Sequence, residues 1–230
     1  MWMGLVLALL GVMGLGVFPR EQEKIPEKPV ALLTDPTKLP ELTEPALKLP
    51  CAPEDWGLVV EDVFGYEGLY IEDGSFEPAE NVAAVILHNA GQRGISFAVV
   101  ALEQGTKTTY FSVTWLPAGE RVLVLAMERG EYSDAPITGC RVLGIRWEDF
   151  ESASLQVQHL PENGFDVTNT LNAPQMGVRL RYKWYLQELG IYFGGVTHSV
   201  AIPPLAVGES YLIYPDTFGA EAIRVVANIK

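Results

Sequence analysis

Few residues in this chain combine the type and spacing that chemistry requires. Three histidines, His88, His159 and His198, fall in three separate strand-like segments, and none belongs to an HExxH or other ligand pattern. They read as surface or interface residues. Acidic pairs occur at Glu54-Asp55, Glu61-Asp62, Glu72-Asp73 and Glu148-Asp149. Adjacent residues of a strand point to opposite faces, so no such pair is by itself a catalytic dyad. The stretch Glu72-Asp73-Gly74-Ser75 offers oxygens to a calcium ion but lacks EF-hand spacing. No nucleophile elbow, Walker loop or dinucleotide fingerprint is present. The sequence therefore assigns no catalytic residue, no metal site and no cofactor, and the chain reads as a non-enzyme. Cys51 and Cys140 show neither metal-ligand nor CxxC spacing. In an exported chain they could form a disulfide, which the chain-entropy model values at up to about 4–5 kcal/mol. Otherwise they are two buried thiols.

Binding has better candidates. In VRLRYKWYL (178–186), Arg179, Arg181 and Lys183 alternate with Val178, Leu180, Tyr182, Trp184 and Leu186. That period of two predicts a half-buried strand with a basic outer face, suited to an anionic partner or to acidic side chains on neighbouring strands. Tyr185, Tyr192 and Phe193 extend the set, because aromatics near a loop can hold a sugar or peptide, although inward ones fill a core. In ISFAVVAL (95–102), Ile95, Phe97 and Val99 are expected inward. Ala98, Val100 and Leu102 then form an apolar outer face that needs a cover, a candidate interface.

Composition narrows the partners. The 230 residues carry a net charge of −13, with 48% hydrophobic and 20% charged residues. Such a chain can build a core. It is repelled by phosphate backbones and anionic lipid, which argues against nucleic acid and confines membrane contact to one segment. That segment is residues 1–18, MWMGLVLALLGVMGLGVF, which has no charged side chain and sits at the lower limit of bilayer-spanning length. It reads as a signal peptide or membrane anchor, placing the rest outside the cytoplasm, anchored or secreted. Residues 19–55 contain eight prolines, each removing a backbone donor and fixing φ, and read as an extended stalk.

The elements that must position the candidate residues repeat. NAGQRGI (89–95) is echoed by NAPQMGV (172–178), LPAGE (116–120) by LAVGE (205–209), and Arg141-Val142-Leu143 by Arg224-Val225-Val226. The shared order predicts a duplication, with modules at 56–150 and 151–230. Strand-like stretches are expected at 58–63, 67–72, 82–88, 95–102, 108–115, 121–127 and 140–147. In the second module they are expected at 154–159, 165–171, 178–186, 192–202, 210–214 and 222–229. Neither module has a sustained helical stripe. The repeated Asn, Gly and Leu-x-x-Gly-Glu motifs are expected to be turns. NAGQRGISF, WLPAGERV, NAPQMGVRLRYKWY and PPLAVGESY together resemble the immunoglobulin-like modules of exported bacterial cell-surface proteins. The resemblance implies an all-β chain of two tandem antiparallel β-sandwich modules, following an N-terminal hydrophobic helix and proline-rich stalk.

Such modules serve adhesion, spacing, sugar binding and assembly, and fold does not choose among them. The expected protein is a non-enzymatic, extracytoplasmic binding or assembly protein at a cell envelope, meeting a protein partner or another copy of itself. The alternative is a carbohydrate-binding or enzyme-accessory module using second-module aromatics. A planar row of exposed Trp and Tyr would favour sugar. An apolar patch beside an open strand edge would favour protein assembly.

Overall fold

The computed structural model describes residues 47–53, 56–150, 155–217 and 220–229. The leader at 1–18 and most of the stalk at 19–55 lie outside the described residues. Among the described residues no helix is long and apolar enough to cross a membrane. The described chain is all-β, in three sheets. Its strands are β1 (Leu58–Tyr70), β2 (Glu77–Asn89), β3 (Gly94–Gln104), β4 (Lys107–Leu116), β5 (Arg121–Leu125), β6 (Ile137–Glu148), β7 (Leu155–Leu160), β8 (Gly164–Asn169), β9 (Arg179–Leu186), β10 (Ile191–Ala201), β11 (Ser210–Ile213) and β12 (Ile223–Ile229). The stretches expected at 58–63 and 67–72 are one strand, β1, with a register shift between Tyr66 and Gly68. The strongly β-branched and aromatic content of these segments explains their extended form.

The strand orders are β1-β2-β5-β10-β9-β12, β11-β8-β7 and β4-β3-β6. Pairing in the first half therefore recurs in the second: β1-β2-β5 as β7-β8-β11, and β4-β3-β6 as β10-β9-β12. The two halves meet where β5 and β10 pair in parallel, with Tyr192 opposite Val122 and Phe193 opposite Leu123. A single buried cluster includes Leu58, Val85, Leu87 and Val124 from the long sheet, Val100, Phe111 and Val113 from β3 and β4, and Phe165 and Val167 from β8.

Two asparagines build the same turn in each half. The Asn89 side-chain amide donates to the carbonyls of Arg93, Leu116 and Pro117 at 2.8–3.1 Å, and its Oδ1 accepts from Gly91 N. Asn169 does the same with Ala173, Leu205 and Ala206, and accepts from Leu171 N. Their carbonyls accept from Gly119 N and Gly208 N, glycines with φ of 75° and 74° that a side chain would strain. The Leu-x-x-Gly-Glu turns are thus as expected. The counterpart of Asn89 is however Asn169 and not Asn172, the residue aligned by the NAPQMGV echo. The second half has three extra residues before β9, three in the distorted part of β10 and three before its Leu-x-x-Gly-Glu turn. The segments after Asn169 and before this turn are joined by the Gln175–Leu205 bridge.

The assignment of faces along β3 needs correction. Ala98, Val100 and Leu102 are buried in the core, whereas Phe97 is exposed. Pairing of β3 with β6 shifts between Ile95 and Phe97, and Trp115 opposite has a φ of 50°. One irregularity at Ser96 reverses every later side chain, because alternation has period two. These three residues are therefore not an outer interface.

Candidate functional site

The basic residues of β9 do not share a wet face. Arg179 is exposed, but the Arg181 guanidinium lies 4.1 Å from the ring centre of Trp115 on β4. Lys183 has no exposed surface at all. Neighbouring Tyr182 packs on Phe165 of β8, from the opposite face of the strand. Hence β9 is covered on one side by second-half strands and on the other by the first half, and its basic stripe is largely a seam.

Lys183 faces a distortion of β10. Between Phe193 (opposite Trp184) and His198 (opposite Tyr182), the residues 194–197 stand against Lys183 alone. The ammonium donates to the carbonyls of Gly194, Gly195 and Val196 at 3.0, 2.9 and 2.6 Å. An ammonium has three N–H donors, and all three are used. On the other side of the same peptide units sits Glu72, from the loop after β1. It accepts from Gly195 N at 2.9 and 3.0 Å, Val196 N at 3.3 Å and Leu125 N at 3.1 Å. Burial pushes the Lys183 amine down to about 7, opposed by the Glu72 charge. Burial likewise raises the Glu72 carboxyl, opposed by its N–H donors and by Lys183. The stretch considered for calcium thus spends Glu72 on backbone amides and Asp73 on Ser75 N and an Arg129 ion pair. No cluster of three or more metal-ligating side chains occurs among the described residues.

The seam is tight. Thr114 and Thr197 exchange hydroxyl hydrogen bonds at 2.8–3.0 Å across it, and a Cβ at Gly195 would fall on the Ser112 carbonyl oxygen. Nothing here offers a substrate access to Lys183. Its chemistry is cohesion of the halves.

The candidate aromatics are buried too. Tyr185 and Tyr192 meet edge to face at 5.5 Å, and the Arg224 guanidinium lies 3.6 Å from the ring centre of Tyr185. With His159 and Gln187 they line an open groove of about 750 Å³ beside β12. Burial pushes the Tyr192 phenol up to about 12 and the His159 imidazole down. Phe193 packs between Tyr66 and Trp184. Phe193 fills the interior, while Tyr185 and Tyr192 show only 8% and 5% of their surface in the groove, so the rings form no exposed platform. His88 pairs with Glu61 at 3.1 Å on the outer surface, and His198 stacks on Tyr182.

A different surface stands out. β11 is an edge strand of its sheet. Asn89 and Asn169 being equivalent, the pairs His88–Arg121 and Thr168–Ser210 superpose. Tyr211 and Leu212 then correspond to Val122 and Leu123, the two residues of β5 that receive β10. Leu123 is 4% exposed, but Leu212 is 57%, Tyr211 46% and Tyr214 59%. Sequence reasoning placed a strand at 210–214 but passed over it as a site. The available signal was the run Tyr-Leu-Ile-Tyr after a repeated turn.

The chain matches no family model, and neither the curated proteins nor the solved structures compared with it give a match.

Proposed function

We propose that this is a non-enzymatic binding or assembly protein acting outside the cytoplasm at a cell envelope, and that it accepts an extended strand of a partner protein along the outer edge of β11. In this reading residues 56–150 and 151–230 are tandem copies of one immunoglobulin-like antiparallel sandwich. The recurring strand pairing and the twin asparagine turns support duplication. The apolar residues 1–18 and the proline-rich segment support a tethered or exported placement.

One observation carries the functional reading. β5 and β11 occupy the same place in the two halves; β5 is extended by a neighbouring strand, whereas β11 presents apolar side chains at a sheet edge. An unpaired edge templates strand addition, in which backbone hydrogen bonds give affinity and alternate side chains give specificity. The sugar-binding alternative loses support because Tyr185, Tyr192 and Phe193 are interior.

The test uses the full-length chain in the cells that make it. A photo-crosslinking residue replaces Leu212 in one variant and the equally exposed Leu143 of β6 in another. A discrete protein adduct at Leu212 and none at Leu143 is the expected result; an adduct of twice the chain mass would make the partner a second copy. No adduct at Leu212, or equal adducts at both positions, would contradict the reading.

A further inference from the structure

Residues 47–53 form a short arm that reaches both sheets of the first half. Leu47 N donates to the Ile137 carbonyl of β6 at 2.7 Å. Cys51 and Val60 of β1 exchange backbone hydrogen bonds at 3.0 and 2.8 Å. β1 and β6 are edge strands of different sheets, so no ladder joins them. The arm is the hydrogen-bonded link between these two edges, and it is where the proline-rich segment enters the fold.

Cys140 lies on β6, three residues beyond Ile137. Its thiol and that of Cys51 lie close enough to interact, and both are half-buried against the core. Both thiols are free. From backbone anchoring on two sides and thiols in mutual contact, we infer that Cys51 and Cys140 are a disulfide-forming pair that fastens the arm to β6.

The chemistry is thiol–disulfide exchange. One cysteine of the pair, as its thiolate, displaces one sulfur of an oxidised dithiol carrier or of glutathione disulfide, forming a mixed disulfide and releasing a thiolate that takes up a proton. The other cysteine then loses its proton, attacks the sulfur of the first and releases the second carrier sulfur. Two protein thiols are oxidised, and one external disulfide is reduced to two thiols.

Closed, the pair joins the arm by covalent bonds to β6, the edge strand paired with the core strand β3. Exposure to an oxidant rests on the extracytoplasmic reading above; the ability of the pair to close does not.

The experiment has two arms. Full-length protein, reduced and held in detergent, is incubated with glutathione disulfide, alkylated and weighed intact. The expected product is a monomer lighter by about 2 Da, without alkylation, yielding a Cys51–Cys140 cross-linked peptide. Its melting temperature should fall by about 10 °C when reductant is added. Glutathione adducts, intermolecular dimers or two alkylated thiols would overturn the pairing. The second arm quenches the producing cells with acid before alkylation. A closed pair there supports its use in the cell. Open thiols there, with closure in the first arm, would overturn the extracytoplasmic placement and leave the pairing standing.

Discussion

β5 and β11 hold equivalent places in the two halves, yet their surroundings differ completely. β5 lies inside the long sheet between β2 and β10, and β11 ends a three-stranded one. The same contrast separates β3 from β9. Val100 of β3 is a core residue; its counterpart Lys183 lies in the seam, held by carbonyls of β10 and facing Glu72 across them. The two halves share their turns and strand pairing but differ in what lies against their outer surfaces: β5 receives β10, whereas β11 ends its sheet among the described residues.

The contrast can be broken most sharply at the seam. Lys183→Ala should cost about 3–5 kcal/mol, because it strands the Glu72 charge and three carbonyls in a buried place. Val100→Ala, the equivalent change in the first half, removes only methyl groups and should cost less, about 1–3 kcal/mol. Urea unfolding of the two variants decides this, and equal costs would mean that the seam contributes no special cohesion. The double variant Glu72→Leu/Lys183→Met should remain about 1–3 kcal/mol below wild type, since the amides of Leu125, Gly195 and Val196 lose their acceptor.

Next comes the covered edge against the open one. Leu123→Ala should destabilise by about 2–4 kcal/mol as a core truncation. Leu212→Ala at the equivalent place should stay within about 0.5 kcal/mol. Thermal melts of both proteins test the pair. A comparable loss at Leu212 would show that β11 is covered within the isolated molecule.

A further effect follows from titration. The folded Lys183 amine titrates at about 7, below the ordinary value of 10.5. Between these values the unfolded chain holds the proton and the folded chain does not, so raising the pH favours folding. The slope is at most about 1.4 kcal/mol per pH unit. Glu72, raised by burial, acts oppositely: its contribution falls as pH rises above 4.5 toward its folded value. Stability should therefore rise from about pH 7 toward pH 10, and Lys183→Met should flatten that rise. An unchanged profile in the variant would sink the assignment.

Much of the fold was legible in the sequence. Period-two alternation and punctuating Gly, Asn and Pro located all twelve described strands to within a few residues, with two stretches merged into β1. The repeated Leu-x-x-Gly-Glu motif located both turns. Faces were less legible. The irregularity at Ser96 reverses β3, and nothing in ISFAVVAL marks it, because nearly every residue there is apolar on both sides. Burial of Lys183 was hidden for another reason. It depends on Glu72 and on the distorted Gly194-Gly195 stretch, both remote in sequence, whereas local alternation made the lysine look exposed. The heptad echo misaligned Asn89 because identity of letters outweighed a three-residue insertion that only hydrogen bonding reveals. The edge was invisible for the converse reason: exposure of Tyr211 and Leu212 depends on which strands lie beside β11 among the described residues, and sequence alternation does not report that.

Amide hydrogen exchange on the isolated full-length protein addresses that edge directly. Neighbouring N–H groups on a strand point to opposite sides, so one of the Tyr211 and Leu212 amides faces outward from β11. That outward amide should exchange quickly in the isolated chain, while the Val122 and Leu123 amides, flanked by β2 and β10, exchange slowly. It should become slow in the adduct recovered through Leu212. Slow exchange at both Tyr211 and Leu212 in the isolated protein would contradict an open acceptor edge.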